Sequence, residues 1–321
     1  MFGLLVKKYA SESWLLWLAC ASMLLVFPWV RIWIISQFEL SGFGPLIEQF
    51  RAFEKFSPVP LEQFLTYEGV IGLNFDEPIL ILCILVWSIS RGTDVVSGEI
   101  GRGTMEMLLA QPAGRRQIML AHGTVSLLGL AALVLITYLG LWLGIQTNST
   151  LVTQPARIEL PGLPWEITNP FGMPTNRMVP LRELVSPDLF LPPTLNLLAF
   201  GFFVWALAVL MSSWDQYRWR SIGLVLGVYV FQLMVFVMAK SLRSLNWMKG
   251  LTFLGAYQPD WMVQFGKSHP NQRWSIWVMR GEGSTGHWGP MGYVILLMGL
   301  GAVLYLVALR IFQRRDIPAP L

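Results

Sequence analysis

Apolar residues dominate six stretches of this chain: Trp14–Ile35, Pro78–Gly98, Ile118–Ile145, Leu195–Ser213, Ser221–Ala239 and Met291–Ala308. Each is close to the roughly 20 apolar residues that a helix needs to cross a bilayer. The pattern therefore predicts an all-α polytopic membrane protein: one transmembrane domain, 1–321, with six spans. Long polar segments, 36–77, 146–194 and 240–290, follow the first, third and fifth spans. The apolar start runs on to Ile35, well past the roughly 7–15 residues of a signal h-region, and is read as a span.

Composition agrees. Apolar residues make up 54% and charged residues 13%, about half the charged share of a soluble chain. The placement of Lys and Arg sets the expected orientation. Flanks 1–13, 91–117, 214–220 and 309–321 hold 11 of them in 60 residues, against 11 in 142 for the three long segments. That contrast predicts both termini inside and sizeable outer loops, although Lys240, Arg243 and Lys249 sit against the rule. The expected location is the plasma (inner) membrane.

Several local expectations follow. Phe2–Ser13 reads as an amphipathic lead-in, with Leu4 and Leu5 against lipid and Lys7 and Lys8 at headgroups. Leu46, Phe50, Phe53 and Phe56 recur at helical spacing, either along the outer interface or in a packed outer helix. Arg31 lies near the outer end of its span and is expected to snorkel. Asp76-Glu77-Pro78 has helix-start chemistry. Nine prolines in 146–194 predict an irregular outer lid. The tryptophans of 240–290 suit a segment lying along the membrane. Gly140/Gly144 and Gly223/Gly227 repeat at the spacing that lets helices approach closely, read first as packing within one subunit. Cys20 and Cys83 lie in spans, and no disulfide is expected.

Chemistry-bearing motifs are sparse. "GKS" at Gly266–Ser268 lacks the earlier glycine of a phosphate-binding loop, since Trp261 stands there. There is no HExxH helix, and His122, His269 and His287 are far apart. A zinc site from His269, His287 and Asp260 is the weak alternative. Midplane ionisable groups, which proton-coupled carriers use, are missing from the cores of the third to sixth spans. The energy for any transport is therefore expected to come from outside this chain. An ATP-independent carrier or channel, or a membrane-embedded enzyme or scaffold, remains the competing reading.

The polar stretch "DVVSGEIGRGTMEMLLAQPAGRRQIML", from Asp94 to Leu120, separates the second and third spans. Glycines 98, 101 and 103 allow a bend, Thr104 is placed to cap the short helix "MEMLLAQ", and Pro112 ends it. Met105, Leu108 and Leu109 share one face, and Glu106 points elsewhere. On the residues alone, that face fits either a groove in a partner protein or a connector lying on lipid. Arg115 and Arg116 are expected at the headgroups.

This stretch resembles the first cytoplasmic loop of ABC-2 type transporter permeases. The matching residues are Glu99, Gly103-Thr104, Glu106, Leu108-Leu109, Pro112 and Arg115-Arg116. The tail "RIFQRRDIPAP" is similar to the Phe-x-Arg-Arg-Asp close of many stand-alone bacterial members. The sequence departs from the family at Ala121-His122, where a Gly-Lys pair is usual, and in the length of 146–194. The resemblance implies a permease without catalytic, cofactor or metal site. It would pair with a second permease copy or paralogue, and ATP and Mg would sit on a separate cytoplasmic ATP-binding subunit. The helix 105–111 would couple to that subunit. Alternating access, with export as the expected direction, would move an unidentified cargo, and no nucleic acid is expected as partner.

Overall fold

The computed structural model describes residues 1–40, 65–112, 114–154, 175–278 and 286–315, with residue 49 and the short strands 157–158 and 167–168. The 46–56 repeat and the tail beyond Arg315 lie outside these residues.

Six helices are long and apolar enough to cross a membrane. The first, α1, runs unbroken over Phe2–Ser36. At 1.5 Å per residue it is about 52 Å long, far more than the roughly 30 Å of hydrocarbon. The expected lead-in is therefore the projecting first turns of the span itself. The second span is introduced by α2 (Tyr67–Gly72) and a 3-10 turn, Leu73–Asp76. It comprises α3 (Pro78–Thr93), a π-helical turn at Asp94–Gly98 and a last turn at Glu99–Gly101. After the loop helix α4 (Met105–Leu109) comes the third span, α5 (Arg115–Thr147). A short α6 (Leu181–Leu184) precedes the fourth span, α7 (Leu191–Trp214). The fifth is α8 (Arg218–Ser241). An amphipathic α9 (Pro259–Ser268) leads towards the sixth, α10 (Pro290–Arg314).

Helix α7 is the axis of the bundle. Its most apolar stretch is 72% buried, against 11% in α8 and 17% in α10, which places those two at the periphery. Missing Cβ atoms allow the close approaches. A Cβ on Gly201 would come within 2.8 Å of Leu130 and 2.9 Å of Ile84, and one on Gly92 would clash with Ala208 of α7. The spans α1 and α5 run parallel and touch along their length. Tyr9 meets His122 near one end, and Trp29 Nε1 donates to Thr147 Oγ1 at the other.

The two glycine pairs part company here. Gly140 faces the Leu25 carbonyl of α1, and a Cβ on Gly144 would approach Ile32 Cδ1 to 2.7 Å. Both thus lie against α1 of the same chain. Gly223 and Gly227 instead have nothing within 4 Å among the described residues. Their face of α8 is open there.

At the far end, Arg31 is held by Glu77 at 2.8 Å rather than left to snorkel. Pro78 occupies the first turn of α3, as its rigid φ favours. The 146–194 segment is more regular than its prolines predict. Ser149–Gln154 pairs antiparallel with Thr175–Pro180, because the proline-poor flanks of the segment are free to form a ladder.

Candidate functional site

The start of α1, the end of the second span, α4, the start of α5 and the end of α10 meet at one end of the bundle. Two buried carboxylates organise it. Glu99 is fully buried (0%) and accepts from Lys8 Nζ at 2.7 Å. Arg102 lies 3.4 Å away, and the Thr104 hydroxyl donates to the same carboxylate. Asp94 receives Arg102 at 2.6 Å, Arg91 at 3.3 Å and Arg218 at 3.5 Å. The cations thus come from α1, the second span, the loop and α8. Burial alone would lower the Arg102 guanidinium, but the Asp94 hydrogen bond and the Glu99 charge raise it overall. Arg102 stays charged at any physiological pH. The two carboxylates are buried, whereas Lys8, Arg102 and Arg218 reach solvent, which screens their share of each pair.

The π-helical turn is the second feature. A π turn breaks the regular i→i−4 ladder and leaves amides in need of acceptors. Ser212 of α7 supplies one: its Oγ accepts from Ser97 N at 2.9 Å and Val96 N at 3.3 Å, and donates to the Thr93 carbonyl at 2.9 Å. Ser97 Oγ also bonds the Thr93 carbonyl, at 2.8 Å, and Ser221 of α8 reaches Ser97 at 3.3 Å. The turn is therefore pinned to both the axial helix and α8. Gly98 is required beside it, because a Cβ there would strike the Asp94 carboxylate.

The loop itself departs from expectation in its cap and in the face its helix buries. Thr104 does not cap α4; its hydroxyl is taken by Glu99. The bend is made by Gly103, whose φ of 71° suits glycine. The apolar face of α4 does not look outward. Met105 is 1% exposed and packs with Val96, Met119, Trp205 and Phe312, while Leu108 packs with Leu5, Tyr9, Ile118 and Ala121. Leu109 is half-buried between the two clusters. The side chain presented to the exterior is Met107, 64% exposed, beside exposed Glu106. Consequently Leu5 meets the loop rather than lipid, and Lys8 meets Glu99 rather than a headgroup.

The dibasic pair also has a different use. Arg115 Nη1 donates to the carbonyls of Phe312, Gln313 and Arg315, closing the end of α10. Arg315 Nη1 donates to Ser213 and Asp215, closing the end of α7. Arg116 reaches Gln313 at 3.4 Å. These guanidiniums satisfy terminal helix carbonyls that otherwise lack partners. Pro112 and Gly114 simply separate α4 from α5.

Sequence reasoning missed Lys8, Arg91, Asp94, Arg218 and Ser212. The signal for two of them was present, since Arg91 and Asp94 are ionisable residues inside an apolar run. Ser212 carried none. Among the described residues, no group of three or more His, Cys, Asp or Glu is placed to hold a metal ion.

Six spanning helices converging on a charged, cross-braced loop end define a multi-pass membrane protein whose polar machinery lies at one end of the bundle. The chain belongs to the ABC-2 family transporter proteins, whose family model matches residues 12–317. No curated protein matches it.

Replacing Ser212 with Ala removes the acceptor that serves two amides of the π turn. It should lower stability by about 1–3 kcal/mol, the cost of unsatisfied buried groups. Ser213→Ala removes only a bond within its own helix, to Val209, and should cost less. Thermal unfolding of the detergent-purified variants measures both, and equal midpoints would remove Ser212 from this role.

Proposed function

We propose that the chain is the membrane-spanning subunit of an ABC transporter, with its loop end in the cytoplasm and a separate ATP-binding subunit docked there. ATP and Mg act on that partner, and this chain needs no cofactor of its own. Closure of the ATPases would move the loop end and switch the spans between inward- and outward-facing states. The direction is taken as export and the location as the plasma membrane. The observation that carries the reading is the bracing of α4. It is tied to α1 through Leu5 and Leu108, to α10 through Met105 and Phe312, and next to it Glu99 binds Lys8. A push on this helix is delivered to several spans together rather than absorbed by a loose connector. The docking surface is then Met107, Glu106 and their exposed neighbours, rather than the buried Leu108.

Met107→Asp should leave folding and membrane insertion unchanged, because the side chain is exposed. It should weaken co-purification of the ATP-binding subunit, since an unpaired carboxylate in an apolar groove costs about 1–3 kcal/mol or more. Wild-type recovery of the ATPase with Met107→Asp would contradict docking at this helix.

The second permease copy is supported by the open Gly223/Gly227 face of α8, where Val230 and Met234 are also exposed. Small residues on an unoccupied face permit close helix approach. Gly227→Leu should leave the monomer as stable as wild type and shift a dimer towards monomer in mass measurements on nanodiscs. An unchanged dimer population would place the seam elsewhere.

A further inference from the structure

At the end of the bundle opposite the loop, three segments that are distant in sequence line an open cleft of about 440 Å³. They are the start of the second span around Glu68, the connection 182–189 before α7, and 266–273 at the end of α9. One wall is apolar, formed by Leu184, Val185 and Leu189. Gly266 lies against this wall, and a Cβ there would approach Leu189 Cδ1 to 3.0 Å. The glycine thus lets the end of α9 lie close beside Leu189 and form one side of the cleft.

The charged lining is unequal in sign. Arg182, Lys267 and Arg273 face Glu68 and Glu183. Lys267 is committed to Glu68 at 3.1 Å. Arg273 uses Nε on the Pro270 carbonyl at 3.0 Å, which orients the side chain and leaves its terminal amino groups unengaged among the described residues. Arg182 has no acidic or hydrogen-bonding partner among the described residues. Two guanidiniums beside an apolar wall, with a surplus of one positive charge, suit a monoanionic group. Their planar donor forks match the paired oxygens of phosphate and carboxylate, and the volume is in the range of small-molecule sites.

We infer that this cavity binds a small molecule bearing a phosphate or carboxylate on a short apolar body, with Arg182 and Arg273 holding the anionic head. The site does not depend on the permease reading, because binding is measured on this chain alone. A lipid headgroup and a free soluble anion offer the same chemistry, and the probes separate them.

Calorimetric titration of the protein in an uncharged detergent, with inorganic phosphate and with dioctanoyl phosphatidic acid, tests the inference. At least one probe should bind at one site per chain. Arg182→Gln should weaken it by about tenfold or more, the loss expected for a charge-assisted contact. Arg273→Gln should do likewise, and Lys7→Gln, which removes an exposed cation at the other end, should not. Binding of phosphate itself identifies a free anion as sufficient, whereas binding of only the dioctanoyl probe identifies a lipid-like ligand. Either result supports the site. Absence of binding by both probes, undiminished binding by Arg182→Gln, or an equal loss in Lys7→Gln would overturn it. Because Arg182 is exposed and supports no other element, its replacement separates lost binding from lost folding.

Discussion

Two carboxylates withdrawn from water set the architecture of the loop end. A buried ionised carboxylate is tolerated only when cations and donors surround it, and neither Asp94 nor Glu99 finds enough of them on its own helix. Arg91 is a local partner for Asp94; the others arrive from the loop and from α8. For Glu99 the decisive partner is Lys8, 91 residues earlier in the chain. The electrostatic requirement therefore brings the projecting start of α1 against the loop. Once it is there, Leu5 and Tyr9 can bury Leu108.

The same end is closed by a relay of caps. Arg115 satisfies the last carbonyls of α10, and Arg315 those of α7. Loop and tail, nearly 200 residues apart in sequence, are thus joined. This gives a physical reason for the two motifs that carry the family resemblance to occur together: the basic pair of the loop holds the carbonyls of the tail. Phe312, fully buried beside Met105, joins them through apolar contact as well. The π turn adds a third brace, because its stranded amides are served by Ser212 on the axial helix. At the periphery, by contrast, α8 has a glycine-bearing face uncovered by the described residues.

How much of this could be read in the sequence depended on the range of the interaction. Spans are local, since twenty apolar residues announce themselves, and six helices of sufficient length and apolarity are there. Gly140 and Gly144 lie against α1. What failed was the assignment of partners. Lys8 and Leu5 look like a membrane-surface pattern until Glu99 and Leu108 are known to be opposite. The apolar face of α4 was recognised, but whether it turns inward or outward is decided by Met119, Phe312 and Ile118, which no local pattern reveals. Thr104 has the side chain of a cap, yet its hydroxyl donates to a carboxylate five residues away, and its helical backbone leaves no amide of α4 bonded to it. Gly223 and Gly227 show the converse limit: spacing reports the capacity for close packing, not its location within or between chains.

The central claim is that Glu99 and its partners hold α4 against the bundle as one body. Hydrogen exchange of the amides of residues 105–110, in wild type and in Glu99→Gln, tests it most directly. Neutralising Glu99 removes the charge that Lys8 and Arg102 share. The account predicts slow exchange of the loop helix in wild type and a marked acceleration confined to the loop and the first turns of α1 in the variant. Fast exchange in wild type, or the same protection in both proteins, would contradict it.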